Sequence, residues 1–293
     1  MTLGLGSVGR VFSGDKVVEN RLLNILGAQV FRTMAARSLY NMRPVSVGDD
    51  VKDKLKTLER DGMVVWPDFL SPAQFEGVRR ECFTLVPGHR EVLNRSSGGN
   101  SLHALHIRKV ETELVPNIHA FLADRRLQQL LEGAERRPLG PIAKFAKIEH
   151  LMQGRAEDGA DPQASHHSDT FFNCHKAWFY VAPVAMKDGP LTFNKGSHKV
   201  TPKRLGYIYK DSCKRVDDDD PSRRVTAEEM AEIGDPAILT CPANTLVVAN
   251  VCGYHSRLQG EPGAERWAVQ IGLRTDPFRV LPFAETVKNG KPG

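Results

Sequence analysis

No stretch of this 293-residue chain approaches the roughly 18 unbroken apolar residues of a membrane span. Its five cysteines, Cys82, Cys174, Cys213, Cys241 and Cys252, are odd in number, scattered and never spaced C-x-x-C. That pattern argues against both a disulfide framework and a zinc ribbon. Blocks of clustered Lys or Arg are also missing. The net charge of +5 arises from 40 bases against 35 acids spread along the chain, so the concentrated basic footprint of a nucleic-acid binder is absent. This charge mildly favours an acidic small substrate. The opening MTLGLGSVGRVFSGDK has no basic segment followed by a long apolar core and a small-residue cleavage site, so a cytoplasmic location is expected. Gly4, Gly6 and Gly9 satisfy G-x-G-x-x-G, yet no strand precedes them and no β-α-β unit surrounds them. A dinucleotide site is therefore not read there.

What is present is an ordinary globular composition, 41% hydrophobic and 26% charged. We read an N-terminal extension over 1–50 and one large domain over 51–293. Residues 16–43 place Val18, Leu22, Leu23, Ile25, Leu26, Val30, Met34 and Leu39 near helical spacing and predict an amphipathic helix bracing the main body. The segment VKDKLKTLERDG predicts a helix ending at Gly62, and MVVWPDFL a short strand. SPAQFEGVRRECFTL predicts a second helix, with Ser71 as N-cap, Pro72 in its first turn and Gln74 completing a capping box. PNIHAFLADRRLQQLLEGA is helical as well. Beyond it the chain changes to short β-rich runs, among them IAKFAKIEHLM, HKAWFYVAPV, NTLVVANVCGYHS and RWAVQIGLRT, separated by Gly, Pro and Asn. Helices followed by an antiparallel barrel or sandwich is the fold class this order predicts. Residues 201–236, with the acidic run Asp217 to Asp220 and a helix capped by Thr226 and Glu229, form an insertion read as either a solvated loop or a lid.

Chemistry concentrates in QASHHSDTFFNCH. In an extended chain residues two apart share a face, so His167 and Asp169 point the same way while His166 and Ser168 point away. One ion can bridge that pair. His175 would reach it only after a chain reversal, and it reads as structural, as does Cys174. A facial triad of two histidines and one carboxylate needs another His, and the candidate is His255, at the end of NTLVVANVCGYH. The turn-rich SRLQGEPGAER follows. Read as a hairpin, it places His255 opposite Arg266 across two antiparallel strands, with Cβ atoms roughly 5 Å apart. A guanidinium beside a metal site suits bidentate binding of a carboxylate chelated there.

These residues, His167-Ser168-Asp169, DGPLTFNKGSHK, His255 and Arg266 in that order, resemble the phytanoyl-CoA dioxygenase family of Fe(II)/2-oxoglutarate oxygenases. LERDGMVVWPDFLSPAQFEGVRRE is similar to that family's N-terminal segment, so the resemblance covers about residues 51–280. It implies a double-stranded β-helix, a jelly-roll barrel of cupin type with helices packed on one face. It also implies Fe(II) held by His167, Asp169 and His255, with Arg266 binding the distal carboxylate of 2-oxoglutarate. O2 would be the oxidant, and decarboxylation of 2-oxoglutarate to succinate would accompany oxidation of a substrate C–H, most simply hydroxylation of a small-molecule metabolite. Related halogenases have Gly or Ala where this chain has Asp169, so halogenation is not implied. Two departures appear. The order His255-Ser256-Arg257 moves the serine that in many relatives touches 2-oxoglutarate, and CPANT replaces a Gly-Asp turn.

Further candidates lie on the same β-rich runs. Lys147 and Ser256 are cosubstrate candidates. Lys147 shares a strand face with Glu149, while His150 shares the other with Ile148 and Met152. His150, Asn173, Trp178 and Arg257 are candidates for the substrate pocket, with Tyr180 and Arg204 behind them. His198 reads as loop-stabilising, and His103 and His106 fall on opposite strand faces. The expected partner is a small molecule, with neither nucleic acid nor membrane, in a monomer or homodimer. A non-catalytic jelly-roll metal-binding or regulatory protein is the competing class, and it would have no need for Arg266.

Overall fold

The computed structural model describes residues 18, 20–45, 47–155, 161–214 and 223–278. The glycine motif at 4–9 and the acidic run at 217–220 lie outside them.

Strict alternation along ERWAVQIGL shows how the protein is layered. Trp267, Val269, Ile271 and Leu273 enter the main hydrophobic core, whereas Arg266, Ala268 and Gln270 open on a cavity. A strand with period two that is apolar on one face and polar on the other has to separate two environments. The strands among the described residues are β1 (Met63–Trp66), β2 (Leu93–Ser97), β3 (Asn100–His106), β4 (Ala146–Met152), β5 (His167–Ser168), β6 (His175–Tyr180), β7 (Leu191–Phe193), β8 (Arg223–Arg224), β9 (Ala237–Ile238), β10 (Thr245–Asn250), β11 (His255–Arg257) and β12 (Glu265–Leu273). Seven form one sheet in the order β1-β10-β6-β12-β4-β3-β2, and five form a second in the order β8-β5-β11-β7-β9. All pairings are antiparallel. The expected mixture of helices and antiparallel sheet is thus what forms.

The described α-helices number eight, and those between residues 49 and 135 pack on the outer face of the large sheet. The eight are α1 (Arg21–Ile25), α2 (Ala28–Met42), α3 (Asp49–Asp61), α4 (Pro72–Leu85), α5 (Pro116–Leu122), α6 (Arg125–Glu135), α7 (Pro202–Lys214) and α8 (Ala227–Ile233). Val51, Leu55 and Leu58 of α3 and Leu127, Leu130 and Leu131 of α6 are buried in one core with Phe179, Val248 and Val269 of the sheet. Each such side chain contributes about 1.5–3 kcal/mol through burial. Phe179 stacks on Phe121 at 4.5 Å and meets Phe69 and Phe75 edge-on. The N-terminus of α4 carries the expected capping box of Ser71 and Gln74.

The expected single helix over 16–43 is corrected. Gly27, at φ +87°, interrupts it between α1 and α2, a conformation open to glycine at little cost. The buried side is also not the apolar stripe. Asn24, Gln29, Arg32 and Thr33 are buried, while Leu22, Leu26 and Met34 are exposed. The polar face can turn inward because its groups bond one another: Gln29 accepts from the Val18 amide at 3.1 Å and from Arg32 at 3.2 Å, and the Arg32 guanidinium lies 4.5 Å over the Phe171 ring. PNIHAFLADRRLQQLLEGA likewise splits in two, because Asp124 caps a new helix by accepting from the Arg126 and Leu127 amides. Among the described residues no helix is long and apolar enough to cross a membrane.

Candidate metal centre and the cavity around it

β5 and β11 lie side by side in the small sheet with His167 directly opposite His255. Their rings are 4.4 Å apart between centroids, and Asp169, just past the end of β5, brings its carboxylate to 3.5 Å from His167 Nε2 and 3.8 Å from His255 Nε2. One ligand atom from each of the three lies within 4.8 Å of the others. The carbonyl of Ser165 accepts from His167 Nδ1 at 2.8 Å, and that of Gly253 from His255 Nδ1 at 2.9 Å. Those bonds place the proton on Nδ1 and aim the Nε2 lone pairs at the shared point. His167 Nε2 is buried without any hydrogen-bond partner, an expensive condition that a bound cation relieves. The donor set therefore fits a divalent metal, with one carboxylate and two imidazoles leaving coordination positions open.

Electrostatics agree with that role. Burial holds the His167 pKa below its ordinary value, and it holds that of His255 down at about 4, so both rings are neutral and ready to ligate at physiological pH. Burial alone would raise the Asp169 pKa, but the Lys176 ammonium and the neighbouring His255 pull it down to about 2. Lys176 projects from β6 and donates to Asp169 Oδ2 at 2.6 Å. Burial works against its charge, and the Asp169 carboxylate outweighs burial to keep its pKa raised.

A cavity of about 340 Å³ opens between the sheets beside these residues. Its wall on the large sheet is the polar face described above. Arg266 there donates to the Gly189 carbonyl and has no carboxylate partner among the described residues. The Tyr180 hydroxyl lies nearby, and burial pushes its pKa up to about 12, so it stays a neutral donor. Arg257 lines the same cavity but is bound by Asp161 Oδ2, at 3.1 Å from Nε and 2.6 Å from Nη2. Asp161 in turn caps the turn leading to His167 by accepting from the Gln163 amide at 3.0 Å.

The structure brings together His167, Asp169, His255, Arg266, Trp178 and Arg257 around this cavity. It corrects the geometry expected for Arg266. β11 and β12 are not a hairpin: β11 pairs with β5 and β7, and β12 with β4 and β6. His255 and Arg266 consequently face each other across the gap between two sheets. The turn after β11 carries the chain from one sheet to the other instead of folding it back on itself.

The other four candidates are turned away from this cavity or already engaged beside it. On β4, Glu149 and Leu151 face the cavity, so His150 points outward, stacked on Trp267 at 3.8 Å. Lys147 shares the inward face but is ion-paired to Glu149 at 2.8 Å. Asn173 lies in a separate polar pocket with Arg37, which donates to its Oδ1 at 3.0 Å. Ser256 borders the cavity, but its hydroxyl is engaged by Thr192 Oγ1 at 2.7 Å and His166 Nε2 at 3.4 Å. His175 bonds Glu135 at 2.9 Å, Cys174 donates to the Leu273 carbonyl, and His198 bonds the Glu59 carbonyl at 3.0 Å. Lys176 was missed by sequence reasoning, although its spacing from Trp178 and Tyr180 puts all three on one strand face.

The described parts of residues 201–236 are tied down on both sides of the candidate ligands. β8 pairs with β5, Arg223 with Ser168 and Arg224 with His167. Glu229 of α8, fully buried, accepts from Arg223 and from the Tyr254 hydroxyl at 2.9 Å. Tyr254 immediately precedes His255. This segment braces the two strands that carry the histidines. It also receives the N-terminal helices, for Asn24 donates to the Ser212 carbonyl at 3.0 Å and Tyr209 to that of Ile25 at 3.0 Å.

No family model matches the chain, and no curated protein matches its sequence. Solved structures do. The fold is similar to the epimerase SnoN in complex with Fe3+, alpha ketoglutarate and nogalamycin RO, at 18% identity over 83% of this chain and 95% of that one, TM-score 0.51. It is similar as well to EctD from S. alaskensis with bound Fe, at 12% identity over 78% of this chain and 79% of that one, TM-score 0.50. EctD with 2-oxoglutarate and 5-hydroxyectoine gives the same TM-score at 13% identity, covering 78% and 79% of the two chains. These structural neighbours hold iron, 2-oxoglutarate or both.

Proposed function

We propose that this chain is a non-heme Fe(II)- and 2-oxoglutarate-dependent oxygenase built on a double-stranded β-helix of cupin type. More narrowly, it is a hydroxylase of an unactivated C–H in a small-molecule metabolite, related to the phytanoyl-CoA dioxygenase family. One observation carries the reading. The triad of His167, Asp169 and His255, its two histidines buried, shares a cavity with the half-buried Arg266 guanidinium, a cation lacking a carboxylate of its own among the described residues. A metal site alone does not require that cation, and a dicarboxylate chelated at the metal does. The solved neighbours with bound 2-oxoglutarate support it.

In this reading His167, Asp169 and His255 hold Fe(II), which supplies the activation of O2 coupled to decarboxylation of 2-oxoglutarate to succinate and CO2. Arg266 binds the distal carboxylate, and the neutral Tyr180 hydroxyl offers a second donor. Asp161 and Arg257 hold the turn that positions His167. Trp178 and Gln270 shape the substrate side of the cavity, whose polar wall suits a molecule recognised by hydrogen bonds. The described parts of residues 201–236 serve as a brace for β5 and β11. Anaerobic titration with Fe(II) and 2-oxoglutarate tests the reading through the visible charge-transfer band of the chelate. Wild type should show the band, His167→Ala should lose it, and Arg266→Leu should need at least tenfold more 2-oxoglutarate. Absence of the band in wild type, or an undiminished one in His167→Ala, refutes it. Succinate release stimulated by members of a metabolite panel then identifies the substrate, and the product distinguishes hydroxylation from other oxidations.

A further inference from the structure

The ammonium of Lys176 is an unexpected charge beside a cation site. It lies 2.6 Å from Asp169 Oδ2, and the exposed part of its side chain faces the cavity. An ordinary triad of two neutral imidazoles and one carboxylate offers a metal one negative charge. Here Lys176 already cancels it. The other cavity charges do not restore it, since Arg257 is bound to Asp161 and Lys147 to Glu149. Arg266 adds a second positive charge, while Arg95 sits exposed at the rim, where solvent screens it. Asp169, Lys176 and Arg266 together leave the enclosed part of the site at one positive charge. A divalent metal entering alone meets net repulsion, which an enclosed, low-dielectric site amplifies. A dicarboxylate dianion entering with the metal brings the total back to its starting value.

We propose that Lys176 couples metal to cosubstrate: its ammonium is shared between Asp169 and the metal-chelating carboxylate of the keto acid, so Fe(II) and 2-oxoglutarate bind as a cooperative pair. The inference rests on the function proposed above and adds a residue to it. Lys176 is a positioning residue with two effects. It occupies Asp169 Oδ2, leaving Oδ1 to bind the metal as a single donor, and it penalises metal binding without an anion beside it. Because linkage is reciprocal, Fe(II) raises the affinity for 2-oxoglutarate by the same factor by which 2-oxoglutarate raises that for Fe(II).

The test is a set of anaerobic Fe(II) titrations of the full chain, with and without saturating 2-oxoglutarate. They are followed by the fluorescence of Trp178 in the cavity wall and by the chelate band. In wild type, 2-oxoglutarate should tighten Fe(II) binding by more than tenfold. In Lys176→Met, which keeps the length of the side chain and removes its charge, Fe(II) alone should bind at least tenfold tighter. The coupling should then fall at least threefold below the wild-type factor, the remainder being due to chelation itself. Lys176→Arg should retain the wild-type coupling, which separates charge from packing should the methionine variant fold poorly. A Lys176→Met protein that binds Fe(II) alone no tighter than wild type, with coupling unchanged, overturns the role of Lys176 while leaving the oxygenase reading intact. No chelate band in wild type overturns both.

Discussion

Removing Glu229 should loosen the protein and its metal site together. Its carboxylate is fully buried, with Oε2 bound by Arg223 and also accepting from the Thr226 amide at 3.4 Å, and Oε1 accepting from the Tyr254 hydroxyl at 2.9 Å. In Glu229→Ala the Arg223 guanidinium keeps only the Tyr254 hydroxyl at 3.2 Å and Asp211 at 3.8 Å. Stripping one partner from a buried ion pair costs about 3–5 kcal/mol. Asp211 is partly exposed and offsets some of this, so the lower end, about 3 kcal/mol, is expected. For a chain of this size that corresponds to a fall in Tm of roughly 6–12 °C. The network also holds Tyr254, next to His255, and β8 against β5, so Fe(II) affinity should drop about tenfold, as for other outer partners of metal ligands. Urea unfolding and Fe(II) titration measure the two effects. A loss below about 1 kcal/mol, or a full loss of stability with unchanged metal affinity, would refute the argument that residues 201–236 brace the site.

Acid should destabilise the metal-free protein in a defined window. The folded-state pKa of His255 lies near 4 against an unfolded value of 6.5, so its contribution is complete above pH 6.5 and is lost as pH falls toward 4. The loss amounts to roughly 3 kcal/mol; His198, also held near 4 by burial, adds in the same direction. Asp169 acts in a separate, lower window, its contribution present above pH 3.8 and lost toward 2. Urea midpoints that stay flat between pH 7 and 4.5 would contradict this assignment. Gly62→Ala should cost about 2 kcal/mol or more, because Gly62 has φ +83° and an added Cβ would collide with the His198 ring; calorimetry showing an unchanged Tm would contradict it.

Period two made part of the site legible. His167 and Asp169 share a face in any extended chain, and the residue type needed to complete a metal triad recurs at His255. Arg266 was selected as well, though through a hairpin that does not exist. A turn-rich segment between two strands says that the chain changes direction; it does not say whether the second strand pairs with the first or crosses to another sheet. For β4 the alternation itself was plain, yet its sense was not, and so His150 rather than Glu149 was expected inside. Nothing within β4 distinguishes its two faces, since each carries both apolar and polar residues. In α2 a polar stripe was buried instead of an apolar one, because Gln29, Arg32 and Val18 satisfy one another only in the folded arrangement.

Local stereochemistry accounts for what the chain alone could specify: the order of helices and strands, the capping of α4 and α8, and which side chains on each strand travel together. Those are properties of neighbours in sequence. The sheet to which each strand belongs, the face turned toward the cavity, and the meeting of Lys176 with Asp169 were decided only in three dimensions. Strand pairing and burial are set by partners distant in the chain, and a charge is assigned its role by the other charges it is enclosed with.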